Sequence, residues 1–237
     1  MSLERTIQLF EAIGGVFTTP PHTIVENLKK VKAFLFDWDG VFNTGYKGLT
    51  VGSPYAEADA MGTNLLRFTY WLQYGTLPFA AIITGQNNQA AFELAKREHF
   101  QAVYYGIKHK VEALQHLQAN YQITPSQVAF SFDDVLDLSA ADVVGLRFLI
   151  RRQASPLFMQ YVKDKHLCDY ITGSEGGAYG VREVCELLTG LQGMYEEVVT
   201  QRVAYQAAYQ NYLSQRDQPT THFYTYQNGT IVAKEPS

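Results

Sequence analysis

Lys32-Ala-Phe-Leu-Phe-Asp37-Trp-Asp39-Gly40-Val41-Phe42-Asn43 is the stretch that decides the fold. An apolar run of β character ends in two carboxylates one residue apart, and a glycine then releases the backbone into a loop. Alternate residues of a strand share a face. Where the strand is ending, both acids can project into the crevice beyond its carboxyl edge, the place where open α/β sheets bind ligands. Two acids crowded there are costly unless a cation or protons compensate them. The pattern asks for a divalent metal or a shared proton; a solvated turn is the plain alternative for an isolated Asp-x-Asp-Gly.

Three further segments favour the first reading. Ala80-Ala-Ile-Ile-Thr84-Gly85-Gln86 is a second apolar run, ending in a hydroxyl and a glycine. Gly106-Ile-Lys108-His-Lys110-Val-Glu-Ala-Leu opens a helix with basic residues, which oppose the helix dipole and so suggest a nearby anion. Val128-Ala-Phe-Ser-Phe132-Asp133-Asp134-Val-Leu-Asp137 is a third strand-like run ending in acids. Each piece alone is commonly structural, but together they supply acids, Thr and Lys to one group of strand ends.

In that order these residues resemble the haloacid dehalogenase superfamily of phosphohydrolases. Within it they look most like the cap-less 3-deoxy-D-manno-octulosonate 8-phosphate phosphatase branch. The stretch Asp169-Tyr-Ile-Thr, followed by Gly176-Gly-Ala-Tyr-Gly-Val-Arg182-Glu183-Val-Cys-Glu-Leu-Leu, is close to that branch's tail, and the likeness spans roughly residues 32 to 195. The resemblance implies Asp37 as nucleophile and Asp39 as the acid and base that serves the leaving oxygen and then the water. It implies a Mg²⁺ ion held by Asp37, the Asp39 backbone carbonyl and Asp133, with Asp134 as an alternative or supporting group. Thr84, backbone N–H groups near Trp38 and Gly85, and Lys110 would meet the phosphoryl oxygens. Lys108 competes with Lys110 from two residues away; the match before Val111-Glu112-Ala113-Leu114 favours Lys110. Asp137 either orients Lys110 or caps a helix. His109 reads as a solvated helix-start residue. Arg182 and Glu183 either reach a substrate phosphate or carboxylate or form a surface ion pair.

The chain departs from the branch at three places. Asn43-Thr44 stands for Thr-Asp, Gln86 for Arg, and Phe132 for Gly. Arg is the natural bidentate partner of a sugar-acid carboxylate, so Gln86 predicts weak handling of such substrates. These changes, with the tyrosine-rich tail, also support an alternative, a catalytically weak scaffold that acts in assembly. The retained Asp37, Asp39, Thr84, Lys110, Asp133 and Asp134 argue for an enzyme instead.

Composition narrows the field. The 237 residues carry a net charge of −4 with no dense basic block, which disfavours nucleic acid and anionic membranes as partners. The two cysteines, Cys168 and Cys185, lack metal-ligand spacing and suit buried thiols in a reducing compartment. No membrane span and no secretion signal is evident, so a cytoplasmic protein is expected. The 16 Tyr and 14 Phe make self-association plausible.

The chain predicts an α/β, Rossmann-like, mostly parallel sheet with helices on both faces and no large cap domain. Residues 1–30 form an N-terminal helical extension, 31–192 the phosphatase-like core, and 193–237 a C-terminal helix and β-hairpin. Ser2 caps a first helix that Gly14-Gly15 stops, and a second follows Pro20-Pro21. Residues 44–58 suit a small flap after the first strand, too short to close a site. A closed site must then borrow cover from elsewhere, and the resemblance implies a neighbouring subunit in a homo-oligomer, with a tetramer favoured, and a small phosphorylated metabolite as substrate. Met194–Leu213 reads as one helix, and Asn228-Gly229 as a type I′ turn between strands.

Overall fold

The computed structural model describes residues 1–47 and 54–236. Its strands are β1 (Val16–Phe17), β2 (Ala33–Phe36), β3 (Phe79–Ile83), β4 (Ala102–Tyr105), β5 (Val128–Phe132), β6 (Leu146–Arg151), β7 (Tyr170–Glu175), β8 (His222–Gln227) and β9 (Thr230–Ala233). The helices are α1 (Leu3–Ala12), α2 (Pro21–Leu28), α3 (Glu57–Tyr74), α4 (Gln89–Arg97), α5 (Val111–Tyr121), α6 (Leu138–Ala141), α7 (Pro156–Asp164), α8 (Gly180–Leu191), α9 (Tyr195–Val203) and α10 (Ala207–Arg216).

The nine strands among the described residues form one sheet in the order β1-β7-β6-β5-β2-β3-β4-β8-β9. Pairing is parallel from β7 through β8, and only the outermost strands β1 and β9 run antiparallel. β2, β3, β4 and β5 are buried along their whole length, as strands covered on both faces must be. Alternation then sorts their side chains. Phe34, Phe36, Ile82 and Val103 meet α2, α3, α4 and α8 on one face, while Leu35, Ile83, Tyr104 and Phe130 meet α5, α6 and α7 on the other. The chain turns back at β2, whose neighbours are β3 and β5. That reversal opens a crevice at the carboxyl ends of β2 and β5.

Both extensions are stitched into this body. Ser2 caps α1 by accepting the Arg5 N–H, and α1 lies on α8 where Gly190 leaves room for Thr6. β1 adds to the sheet beside β7. At the other end, Asn228 (φ 49) and Gly229 (φ 86) form the expected tight turn, with Gln227 paired to Thr230. The expected single helix over 194–213 is instead two, because Tyr205 adopts φ 48 and breaks it between α9 and α10. Phe68 of α3 packs against Tyr209 and Tyr212 of α10, which explains part of the tail's tyrosine content as core. The expected flap over 44–58 includes residues 48–53, which lie outside the described residues. Among the described residues no helix is long and apolar enough to cross a membrane, and Cys168 and Cys185 are buried free thiols.

Asp59, in the first turn of α3, is fully buried. Its Oδ1 accepts the Arg182 N–H at 2.8 Å, while its Oδ2 has no partner among the described residues. Burial pushes its pKa up to about 6, against the pull of the Arg182 N–H and charge. A raised carboxyl pKa favours the protonated folded state, so its contribution is greatest below the ordinary carboxylate range and is lost as pH rises through about 6. Asp59→Asn should therefore gain stability over wild type by roughly 2–3 kcal/mol at pH 8 and by little at pH 4. Thermal melts of both proteins at the two pH values test this; a pH-independent difference would overturn it.

Candidate active site

β2 hands over to the loop at Asp37, whose N–H still donates to Ser131 O of β5 at 2.9 Å. Pairing therefore holds Asp37 at the switch point until the backbone turns. The turn closes on Trp38 O, which accepts from Phe42 N at 3.0 Å and from Asn43 Nδ2 at 3.1 Å. Asn43 Oδ1 accepts the Gly45 N–H at 2.8 Å, so this departure from the branch pattern acts as a staple for the loop. Gly40 has φ +85, and a Cβ there would run into the Asp133 carboxylate. Trp38 is fully buried and stacks on Phe42 at 5.0 Å, which leaves only its backbone to serve a ligand.

The C-terminal ends of β2 and β5 bring Asp37, Asp133 and Asp137 together, with one oxygen of each within 4.8 Å of the others. Lys110, at the start of α5, reaches into this group: Nζ lies 2.5 Å from Asp37 Oδ1 and also contacts Asp137 Oδ1. Burial and then the charges of Asp137 and Asp133 hold Asp37 well above the usual carboxylate range, although Lys110 pulls it down. Burial likewise lifts Asp133 to about 6. Lys110 is itself pushed above the ordinary lysine value, since Asp37 and Asp137 outweigh its burial, and it stays charged. Lys108 and His109 are exposed, so Lys110 is the lysine that meets the acids.

Asp137 Oδ1 contacts Lys110, and its Oδ2 accepts the N–H groups of Asp133 and Asp134. Asp134 is exposed and turns to the Val135 N–H. Thr84, at the end of β3, is buried; its Oγ1 accepts from Gln86 N at 3.2 Å and Asn88 Nδ2 at 3.0 Å. The same Asn88 amide donates to Asp39 Oδ2 at 3.1 Å, and Lys47 pairs with that oxygen at 2.9 Å. Gly85, Gln86, Lys108 and Asp134 line the rim of a cleft of about 460 Å³ above the acids.

Arg182 lies elsewhere. Its guanidinium pairs with Glu186 at 2.5 Å, one helical turn along α8, and it does not line the cleft. Glu183 is buried under three donors: Tyr170 OH and the N–H groups of Gly173 and Ser174. Three residues without a motif do reach the cleft or its acids: Lys47, Asn88 and Arg152, the last paired with Asp133.

No family model matches the chain. It is 27% identical over 182 residues to the 3-deoxy-D-manno-octulosonate 8-phosphate phosphatase of Escherichia coli (strain K12), covering 76% of this chain and 90% of the relative. A protein from Legionella pneumophila assigned to subfamily III A of the HAD-superfamily hydrolases superposes with a TM-score of 0.63 at 26% identity, covering 77% of this chain and 95% of its own. The octulosonate phosphatase of Moraxella catarrhalis, solved with a magnesium ion, a phosphate ion and a KDO molecule, gives 0.62 at 27% identity over 77% of this chain and 98% of that one. In sequence and in fold the chain is thus similar to 3-deoxy-D-manno-octulosonate 8-phosphate phosphatases and to a hydrolase of the haloacid dehalogenase superfamily.

This likeness implies a divalent metal, and the residues present fit one. Their donors are all carboxylate oxygens, hard ligands of the kind Mg²⁺ takes, and the three buried acids Asp37, Asp133 and Asp137 crowd around one buried cation, Lys110. Asp137 is already engaged by Lys110 and two N–H groups, which suits support rather than ligation. Asp133→Ala should accordingly weaken Mg²⁺ binding by about 10²-fold or more, since even supporting residues of metal sites cost 10–100-fold. Asp134→Ala should stay within a few-fold. Calorimetric titration of both variants checks the assignment, which an equal or larger loss at Asp134 would reverse.

Proposed function

We propose that the protein hydrolyses a small phosphomonoester, a sugar phosphate or sugar-acid phosphate, through a Mg²⁺-dependent aspartyl-phosphate route. The observation that carries this reading is the convergence of Asp37, Asp133 and Lys110 in one buried group beneath a cleft edged by charged side chains. The octulosonate phosphatases at 27% identity support the substrate class. A cleft of about 460 Å³ suits a small molecule.

Mg²⁺, held by Asp37, the Asp39 carbonyl and Asp133, would neutralise charge on the phosphoryl oxygens. Asp37 attacks phosphorus as the bond to the leaving alkoxide breaks, and Asp39 gives that alkoxide its proton. Asp39 then takes a proton from the water that hydrolyses the acyl phosphate. Lys110 stays protonated and adds positive charge beside the transferring group, steadied by Asp137. The Thr84 hydroxyl already accepts from Gln86 and Asn88, so its own proton is the one left to donate. A homo-oligomer is part of the reading. Val135 and Leu136, 59% and 73% exposed beside the cleft, are apolar surface that a second copy could cover.

Purified protein should release inorganic phosphate from p-nitrophenyl phosphate and from a phosphosugar panel with Mg²⁺, and stop when EDTA is added. No release from any of them with Mg²⁺ present would leave the scaffold alternative standing.

A further inference from the structure

Arg152 follows directly on β6, next to the Asp133 end of β5. Its neighbour Arg151 points the other way, donating to Thr172 O and to Gly14 O, both at 2.7 Å. Alternation therefore turns Arg152 into the cleft. There its Nη2 meets Asp133 Oδ2, the one side-chain partner it has among the described residues. The two halves of this pair are unequally placed. The Arg152 side chain is 39% exposed, whereas that of Asp133 is 2% exposed. A guanidinium so exposed loses little on leaving, because water solvates it. A buried carboxylate cannot be left without a cation.

We infer that Arg152 is a resident counterion of Asp133 that the divalent metal displaces, and that the freed guanidinium takes the carboxylate of a sugar-acid phosphate at the cleft mouth. This rests on the function proposed above. A divalent ion among Asp37 and Asp133 satisfies Asp133 and repels the guanidinium beside it. The phosphoryl group is drawn to the deep cations, and the rest of the substrate extends past Gln86, Lys108 and Arg152. Of these, only Arg152 offers a planar fork that matches a carboxylate bidentately. The charge that Gln86 does not supply thus enters from the opposite wall of the cleft. Metal binding and acid recognition become linked: the acid-binding residue is released only when the metal is in place.

The test uses Arg152→Gln and Arg152→Lys, with Mg²⁺ titrated by calorimetry at pH 8 and kcat/KM measured for an acidic and a neutral phosphosugar. Arg152→Gln should bind Mg²⁺ about 3- to 10-fold more tightly than wild type, because its internal competitor is gone. Its preference for the acidic over the neutral substrate should fall by one to two decades, the worth of a charge-assisted contact. Arg152→Lys should keep the weaker Mg²⁺ binding while losing most of the preference. Unchanged or weaker Mg²⁺ binding in Arg152→Gln overturns the counterion role, and an unchanged preference overturns the carboxylate role. If wild type hydrolyses no phosphomonoester, the functional reading itself has failed, while the Mg²⁺ titration still decides whether Arg152 competes for Asp133.

Discussion

Asp37→Asn should abolish turnover, by about 10⁴-fold or more, the range seen when a nucleophile is deleted. An amide oxygen is a poor nucleophile at phosphorus and a weaker ligand for a hard cation. The fold should survive the change. Asp37 is buried with its pKa raised by that burial, so replacing its charge with a neutral amide removes a desolvation cost, while Lys110 keeps Asp137 as partner. Activity and stability are then expected to move apart: no phosphate release, yet a melting temperature equal to or above that of wild type in the absence of Mg²⁺. Both readouts are needed. A variant that is inactive because it is unfolded says nothing of the mechanism, and near-normal Mg²⁺-dependent turnover in a folded variant would sink the nucleophile assignment.

Asp39→Asn should cost roughly 10²–10⁴-fold in kcat through lost proton transfer. Its carboxylate stands apart from the three clustered acids, between the Asn88 amide and the Lys47 ammonium. Mg²⁺ affinity should thus stay close to that of wild type. The loss should also depend on the substrate. A sugar alkoxide needs a proton as it leaves, whereas p-nitrophenolate departs without one. In the first step the variant should be impaired much more with a phosphosugar than with p-nitrophenyl phosphate. Pre-steady-state measurement of p-nitrophenol release isolates that step. An equal loss with both substrates would show that Asp39 acts on something other than the leaving group.

The reach of the sequence followed the range of the interactions involved. Asp37, Asp133 and Thr84 were legible because each ends a largely apolar, strand-like run, and such runs mark the carboxyl edge of a parallel sheet. The choice of Lys110 over Lys108 depended on the family likeness, since helix-start position alone leaves both open. Arg152 and Asn88 carry no pattern: one follows a strand within Arg-Arg-Gln, the other sits in a polar Gln-Asn-Asn-Gln run, and only the pairing of distant strands brings them to Asp133 and Asp39. The four-residue spacing of Arg182 and Glu186 could have warned that this arginine is satisfied on its own helix. Nothing local marks the break at Tyr205, where no glycine or proline stands.

The parallel pairing of β8 with β4 has a consequence for how the chain is made. His222 comes to lie beside Ala102, roughly 120 residues earlier, so one flank of β4 has no partner while the ribosome completes everything between them. That flank belongs to Ala-Val-Tyr-Tyr, a strand buried at every position in the finished protein. Nascent chains would thus carry an open, apolar sheet edge while the whole stretch between the two strands is made, the kind of edge through which copies join wrongly. The hairpin that closes it acts, in this sense, as a late seal, and the yield of native protein depends on how quickly that seal arrives.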